Sequence, residues 1–446
     1  MKRWNGWGNI NTSYQIAPSA LRYLEKMIGE GIRNPDATLA KVVLSVPDSR
    51  LPNLPQVIVD PEVRLRHSRG QSLPDWVALR SGQINTFTDG VAYPSTDEEI
   101  QNLFKIAHEQ SIRLIPYGGG TSVVGHINPK SDGIATITID LSRFNKLLSI
   151  DRFSHLALIE AGIRGPDLER QLRSEGFTLG HFPQSFEYST LGGWIATRSC
   201  GQQSYYYGRI EDTFAGGHIE SPAGPLDIKP VPASAAGPDL RHIILGSEGR
   251  YGVITRASMR VRPLPEVEGY YAAFFHDWES GLSAVKKIAQ TNLPVSMVRL
   301  SDATETEATL ALSGKDKLVT WSGRGLRRLG VGSKRCLLIY GITGDSKRVK
   351  FTLDQAANII RSNAGLLVGT SIGEQWQKSR FLTPYLRNTL WDNGFAIDTL
   401  ETATTWNKVS SLVSALKDSI IKQAKIVETK VLVFAHLSHV YSDGAS

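Results

Sequence analysis

Cysteine is scarce: 446 residues hold two, Cys200 and Cys336. Two isolated thiols build neither a disulfide framework nor a metal-binding spacing, and such scarcity fits a reducing compartment. Long apolar runs are missing too. No stretch reaches the roughly 18 apolar residues that a membrane span needs, and the start, MKRWNGWGNINTS, lacks the apolar core of a secretory signal. The expected location is the cytoplasm, with loose contact to a membrane left open. Nucleic-acid modules, internal repeats and low-complexity tracts are absent. Positive charge never concentrates. The net +7 is scattered over residues such as Arg241, Arg250, Arg256, Arg260, Arg262, Arg327, Arg328, Lys334 and Arg335, and favours anionic small molecules only weakly. No G-x-G-x-x-G opens a helix after the first strand, and the glycine-rich segments contain no G-K-[ST]. Those absences exclude the Rossmann fingerprint and the Walker loop.

The chain is too long for one ordinary core, and its 41% hydrophobic and 21% charged residues suit a globular protein of two or three domains. Ser95 and Glu98 have the spacing of a capping box ahead of a helix carrying Ile100, Leu103, Phe104 and Ala107 on one face. Strands are expected at IRLIP, at 133–141 and at 156–163. Pro166 and Gly176 bracket a helix as its start and stop. Residues from about 90 to 265 therefore read as α+β. Prolines 263 and 265 close that unit. Helical patterns then follow at 279–290, 346–363 and 406–424, with strands at 336–341 and 430–435, as in a sheet with helices packed on it.

Three glycine-rich segments share the first domain. PYGGGTSVVG (116–125) follows a strand; GHFPQSFEYSTLGGWIATRSCGQQSYYYG (180–208) and GSEGRYGVIT (246–255) follow later. One such loop reads equally well as a tight connection or as a cradle of backbone N–H groups for an anion. Three together, rich in hydroxyls, favour a large phosphorylated cofactor lying along several loops.

PYGGGTSVVG, STLGGWIATRSCG and GSEGRYGVITRASMRVRP resemble the three signatures of the FAD-binding domain of the vanillyl-alcohol oxidase superfamily. Within it, RWNGWG, RHSRGQSLPDWVALRSG, VRLSD, TPYLRNTLWDNG, ETATTW and HLSHVYSDGAS are similar to the alkyldihydroxyacetone-phosphate synthase family nearly end to end. The resemblance implies a two-lobed FAD-binding domain (89–265), a sheet-plus-helices substrate or cap domain (266–446), and an N-terminal extension (1–88) packing on both. It implies FAD contacts from Pro116, Tyr117, Gly118, Gly119, Gly120, Thr121 and Ser122; from Gln184, Ser185, Phe186, Glu187, Tyr188, Ser189 and Thr190; from Thr197, Arg198, Ser199 and Cys200; and from Glu248, Gly249, Arg250, Tyr251, Gly252, Val253 and Ile254. No histidine lies in the Gly-Gly-Gly-Thr-Ser core, so FAD is expected to be non-covalent; His126, at the loop's far end, reads as a local hydrogen-bonding residue.

In that family the flavin serves without net redox. An acyl-dihydroxyacetone phosphate bonds through carbon to flavin N5, the acyl chain leaves as a fatty acid, and a fatty alcohol replaces it as an ether. The resemblance gives Arg387 the substrate phosphate, Tyr441 and His181 proton transfer, and Arg299 a place near the flavin. Arginine's planar fork suits phosphate, and histidine suits proton transfer near neutral pH. Read without the resemblance, these are a helix-surface arginine, a strand-end tyrosine, a structural histidine and a salt-bridged strand arginine. Thr383 and Pro384 read as cap and first turn of the helix bearing Arg387. His436 and His439 have no metal partners at suitable spacing and are given no role beyond lining a site; no metal is expected.

Family members continue past the point corresponding to Ser446, with more sheet, a run of catalytic histidines and a segment returning to the flavin domain. The expectation is retained FAD binding and impaired activity. The partners implied are a lipid phosphate and a fatty alcohol, with a homodimer left open. Two other readings remain: an FAD-linked dehydrogenase of 2-hydroxy acids of the D-lactate type, and a truncated flavin-binding protein without catalysis.

Overall fold

The computed structural model describes residues 1–312 and 332–446; Arg327 and Arg328 fall outside the described residues. The chain forms two compact units. The first holds residues 1–12, 34–201 and 208–264, the second residues 13–33, 202–207 and 265–446.

The first unit has two main sheets. One contains β1 (Val57–Ile58), β2 (Gly90–Ala92), β3 (Arg113–Tyr117) and β4 (Thr136–Asp140), in the order β1-β2-β4-β3 with β4 parallel to both β2 and β3. The helix Asp97–Glu109 crosses between β2 and β3, as a parallel arrangement requires. Its Ile100, Leu103 and Ala107 pack with Ile137 and Ile139 of β4. The other sheet contains β5 (Leu147–Asp151), β6 (Leu156–Glu160), β8 (Phe214–Glu220), β9 (Leu226–Ile228) and β10 (Val253–Arg260). It is antiparallel throughout, in the order β5-β6-β10-β8-β9. The short β7 (Phe177–Thr178) pairs with β11 (Arg262–Pro263).

The expected strands and helices of this unit are present, with one correction of register. The cap of Asp97–Glu109 is Thr96, whose hydroxyl accepts from Glu99 N at 3.3 Å. Ser95 instead donates its N–H and hydroxyl to Glu99 Oε2, at 2.6 and 3.1 Å. Thr96 is the residue with extended φ/ψ, and a cap must have non-helical angles, so the helix starts one residue later than the Ser95–Glu98 spacing suggests. The helix Gly165–Ser174 carries Pro166 in its first turn, and Gly176 follows it at φ +83°.

The second unit is built on one antiparallel sheet of β12 (Val267–Phe275), β13 (Val295–Ser301), β14 (Cys336–Gly344), β15 (Leu366–Gly369) and β17 (His436–Leu437), ordered β15-β12-β14-β13-β17. All nine residues of β14 are buried. One face packs Leu338, Tyr340 and Ile342 against Leu282, Val285 and Ile288 of the helix Trp278–Gln290 and Val349, Ala356 and Ile360 of the helix Ser346–Ser362. The other packs Leu337 and Ile339 with Tyr270, Phe274, Met297 and Trp376. A strand covered on both faces reads as a continuous apolar run, which CLLIY is. Small strands β16 (Thr404–Thr405) and β18 (Gly444–Ala445) pair nearby.

Two expectations are corrected in this unit. Residues 430–435 form no strand; only His436–Leu437 adds to the sheet, beside β13. An apolar run does not itself guarantee a partner, and here the β13 edge accepts two residues. Thr383 does not cap the helix Thr383–Asp392. It is the first helical residue, and its hydroxyl turns back to donate to Ser379 O at 3.1 Å. Among the described residues no helix is long and apolar enough to cross a membrane.

Candidate functional site

The three glycine-rich segments converge within the first unit, except that residues 202–207 of the second segment belong to the second unit. Gly118, Gly119 and Gly120 follow directly on β3. A Cβ on Gly118 would collide with the Thr190 hydroxyl, and one on Gly119 with the Tyr188 carbonyl. Gly120 has φ +67°, where an L side chain is strained, and a Cβ there would strike the Tyr117 hydroxyl. The loop thus lies backbone to backbone along 188–190. Thr190 in turn caps the helix Leu191–Thr197, its hydroxyl accepting from Gly193 N at 3.3 Å.

The third segment closes on the other end of that helix. Gly246 N donates to Ile195 O at 3.2 Å and Glu248 N to Ala196 O at 2.9 Å. Arg198 ends the helix in the left-handed region at φ +51°, followed by Ser199 and Cys200. Glu248 at φ +52° and Gly249 at φ +80° then turn the chain so that Gly249 packs on Pro116. Gly252 crowds the Glu220 carbonyl before β10 begins at Val253 and Ile254. Arg250 lies in this loop, and Tyr251 is exposed. Thr121, Ser122 and Thr197 flank the cluster, with Gln184, Ser185, Phe186, Glu187 and Ser189 on the approach to Thr190.

Two cations join the loop. Lys2 donates from Nζ to Gly119 O at 2.7 Å and lies over the Tyr188 ring, as does Arg164. Desolvation, then repulsion from Arg164, lowers the Lys2 ammonium to about 8. Such a lysine gains from an added anion nearby. Lys2 was not singled out in the sequence; a lone basic residue near a chain start carries no local signal. Side chains withheld from 118–120, paired with Lys2 and Arg164, fit a pyrophosphate-bearing cofactor.

His181 is also in the first unit. It is buried, lies 5.0 Å from the Trp194 ring, and has Nε2 3.1 Å from Ser199 Oγ. His126 Nδ1 stands 4.0 Å from Glu248 Oε1.

Arg387, Tyr441 and Arg299 are in the second unit. Arg387 is half-buried on its helix, between buried Leu386 and Asn388. Tyr441 opens a tight turn, its N–H donating to Gly444 O at 2.8 Å, and Trp406 Nε1 donates to its carbonyl at 3.1 Å. That turn places it outside the regular strands, unlike a strand-end core tyrosine. Arg299, on β13, pairs with Glu305 Oε1 at 2.6 Å and reaches within 3.1 Å of His436 Nδ1. His436 Nδ1 also lies 3.0 Å from Glu305 Oε1. Burial would raise the Glu305 carboxyl, but the Arg299 charge and the His436 hydrogen bond hold it down at about 2. Glu305 thus holds both Arg299 and His436, a role its place in a helical run did not reveal. His439 accepts the chain-terminal N–H, from Ser446 to its carbonyl at 2.8 Å.

Comparison with known proteins agrees with this geometry. Residues 88–225 match the model of an FAD binding domain, and residues 264–446 that of the C-terminal domain of FAD linked oxidases. An alkyldihydroxyacetonephosphate synthase of Dictyostelium discoideum is 35% identical over 399 residues, covering 88% of this chain and 65% of the relative. A solved alkyldihydroxyacetonephosphate synthase structure is 32% identical with a TM-score of 0.89, covering all of this chain and 89% of that one. The structure of p-cresol methylhydroxylase, 13% identical with a TM-score of 0.61 over 87% of this chain and 78% of that one, shares the fold. The fold is the FAD-binding fold of the vanillyl-alcohol oxidase type, and the cofactor is FAD. Extending over the whole chain at this identity, the likeness places the protein within one branch of that fold: the chain belongs to the alkyldihydroxyacetone-phosphate synthase family.

Proposed function

We propose that the protein is an FAD-dependent ether-lipid synthase that exchanges the acyl chain of acyl-dihydroxyacetone phosphate for a fatty alcohol. The observation that carries this reading is the convergence of the three glycine-rich segments on both ends of one helix, in a chain that matches a synthase structure from end to end. The bond between the ketose carbon and the ester oxygen breaks, the fatty carboxylate leaves with both oxygens, and the alcohol oxygen, after losing its proton, forms the ether bond to that same carbon.

Bound FAD supplies an electron sink, and the protein supplies position, charge and protons. Gly118, Gly119 and Gly120 admit the pyrophosphate to the backbone, with Lys2 and Arg164 as its counter-charge. Ser122, Ser189, Thr190 and Thr197 offer hydroxyls, and the 248–254 loop lines the same corner. The Gly-Gly-Gly-Thr-Ser core has no histidine for a covalent flavin bond, in keeping with a non-covalently held cofactor. Arg387 takes the substrate phosphate through its two-pronged guanidinium. Tyr441 and His181 move protons, and Arg299, anchored by Glu305, offers positive charge where negative charge builds up.

The oxidised flavin spectrum tests this directly. Adding acyl-dihydroxyacetone phosphate anaerobically is expected to perturb the band without the full bleaching of a two-electron reduction. Full bleaching by a 2-hydroxy acid, with no response to the acylated ketose phosphate, would replace this reading by a dehydrogenase.

A further inference from the structure

Where β8 adjoins the end of the third glycine-rich segment, a second cluster joins residues that are far apart in sequence. Asp97 begins the helix Asp97–Glu109, His218 and Glu220 lie on β8, and Asp227 lies on β9. Ligand-type atoms of Asp97, His218 and Glu220 all fall within 4.8 Å of one another. His218 Nε2 is 2.6 Å from Glu220 Oε1 and 3.6 Å from Asp97 Oδ2. His218 and Glu220 alternate on the strand, so both side chains leave the same face. We propose that Asp97, His218 and Glu220 form a binding site for one first-row divalent cation, of the Zn2+ or Mn2+ class.

Five observations favour a cation over an ordinary ion-pair patch. An imidazole nitrogen with two carboxylate oxygens is a donor set that suits these metals. A cation at about 2.1 Å from each ligand needs the donors about 3 to 3.5 Å apart, close to the spacing present. Two of the donors are also held from behind. Asp227 Oδ1 lies 2.5 Å from His218 Nδ1, which fixes the tautomer that leaves Nε2 facing the site. Gln101 Nε2 donates to the second oxygen of Glu220, whereas Arg256 Nη2 donates at 2.6 Å to Asp97 Oδ2, the oxygen nearest His218, and leaves Oδ1 for the cation. Such outer partners are the usual companions of metal ligands. Moreover, Asp97 Oδ1 is buried with no hydrogen-bond partner, although the carboxylate pairs with Arg256 through Oδ2. Three carboxylates stand against one guanidinium, so with a neutral imidazole two negative charges remain for a divalent ion.

The competing occupant is a proton. An imidazolium at His218 would bridge Glu220 and Asp227 without any metal. The two differ in what they hold together. A metal ties the start of the Asp97–Glu109 helix to the β8–β9 hairpin, through three ligands from two elements, and acts as a staple of this unit.

The experiment uses the full, flavin-loaded chain, stripped with chelator and titrated with Co2+ and with Zn2+. The expected result is one tight equivalent, a ligand-field band for Co2+, and a higher melting temperature. His218→Ala and Glu220→Gln abolish the tight equivalent while flavin content stays unchanged. Asp227→Asn keeps the ligands and weakens affinity by about 10- to 100-fold. If the wild-type chain takes up no stoichiometric metal, a proton fills the cluster and the proposal is overturned; that result stands even where a variant fails to fold. Tight binding that survives His218→Ala overturns it equally.

Discussion

The α-carbon of Gly119 rests against the main-chain carbonyl of Tyr188, where no side chain fits. The contact joins the first glycine-rich segment to the second, and it needs the backbone itself to touch backbone. Gly119→Ala must open this contact. Its FAD affinity is expected to fall at least tenfold, or about 1.4 kcal/mol, in a fluorescence titration of flavin-stripped protein. Unchanged affinity would mean that the loop does not shape the cofactor site.

Lys2 bonds the same glycine, and its ammonium sits near 8 in the flavin-free protein. A lowered lysine loses its proton within reach of ordinary buffers. FAD affinity should therefore weaken as pH rises from about 7 to about 9.5, as Lys2 neutralises. Lys2→Met should bind more weakly at pH 7 and show a flatter profile. Parallel profiles for the two proteins would remove Lys2 from the site.

Glu305 is buried, and its carboxyl lies at about 2 against an ordinary 4.5. A depressed carboxyl contributes stability that is complete above its unfolded pKa and is lost as pH falls from about 5 to about 2. The shift corresponds to an order of 3 kcal/mol. Glu305→Gln should lower the melting temperature at pH 7, and the gap from wild type should shrink on acidification through that window. Because Arg299 loses its anchor, the variant should also lose activity with flavin still bound.

Arg387→Lys keeps the charge and loses the fork. It is expected to raise the KM for the acylated ketose phosphate by about tenfold or more, with flavin content unchanged. Tyr441→Phe should instead lower kcat by about 100-fold or more, with little change in KM. Steady-state kinetics separate the two, and a swapped pattern would exchange their roles.

The cap register has its own test. Thr96→Ala should cost about 1 kcal/mol in denaturant unfolding. Ser95→Ala should cost less, because its bonds to Glu99 add to a cap already made by Thr96.

Much of this was legible because the deciding signals were local. Glycine where φ is positive and contacts are close, as at Gly120 and Gly249, marks loops that no other residue builds. The helices over 278–290 and 346–362 follow from apolar period alone, and CLLIY shows its double burial as an unbroken apolar run. The rest depends on distant pairing. The run 430–435 looks like a strand because periodicity cannot say whether a sheet edge will accept it; two residues pair and the others do not. Lys2 approaches Gly119 across 117 positions, and Glu305 reaches His436 across 131. The Asp97, His218 and Glu220 cluster has no sequence spacing to reveal it, since its members come from a helix start and a strand brought together by the fold.

The most direct measurement of the proposed function is alcohol exchange. Flavin-loaded protein is incubated without oxygen with acyl-dihydroxyacetone phosphate and a labelled long-chain alcohol. The expected result is label in an alkyl ether of the ketose phosphate, one fatty acid released for each ether formed, and flavin that ends oxidised. Label remaining wholly in the free alcohol, while a 2-hydroxy acid reduces the flavin, would contradict the assignment.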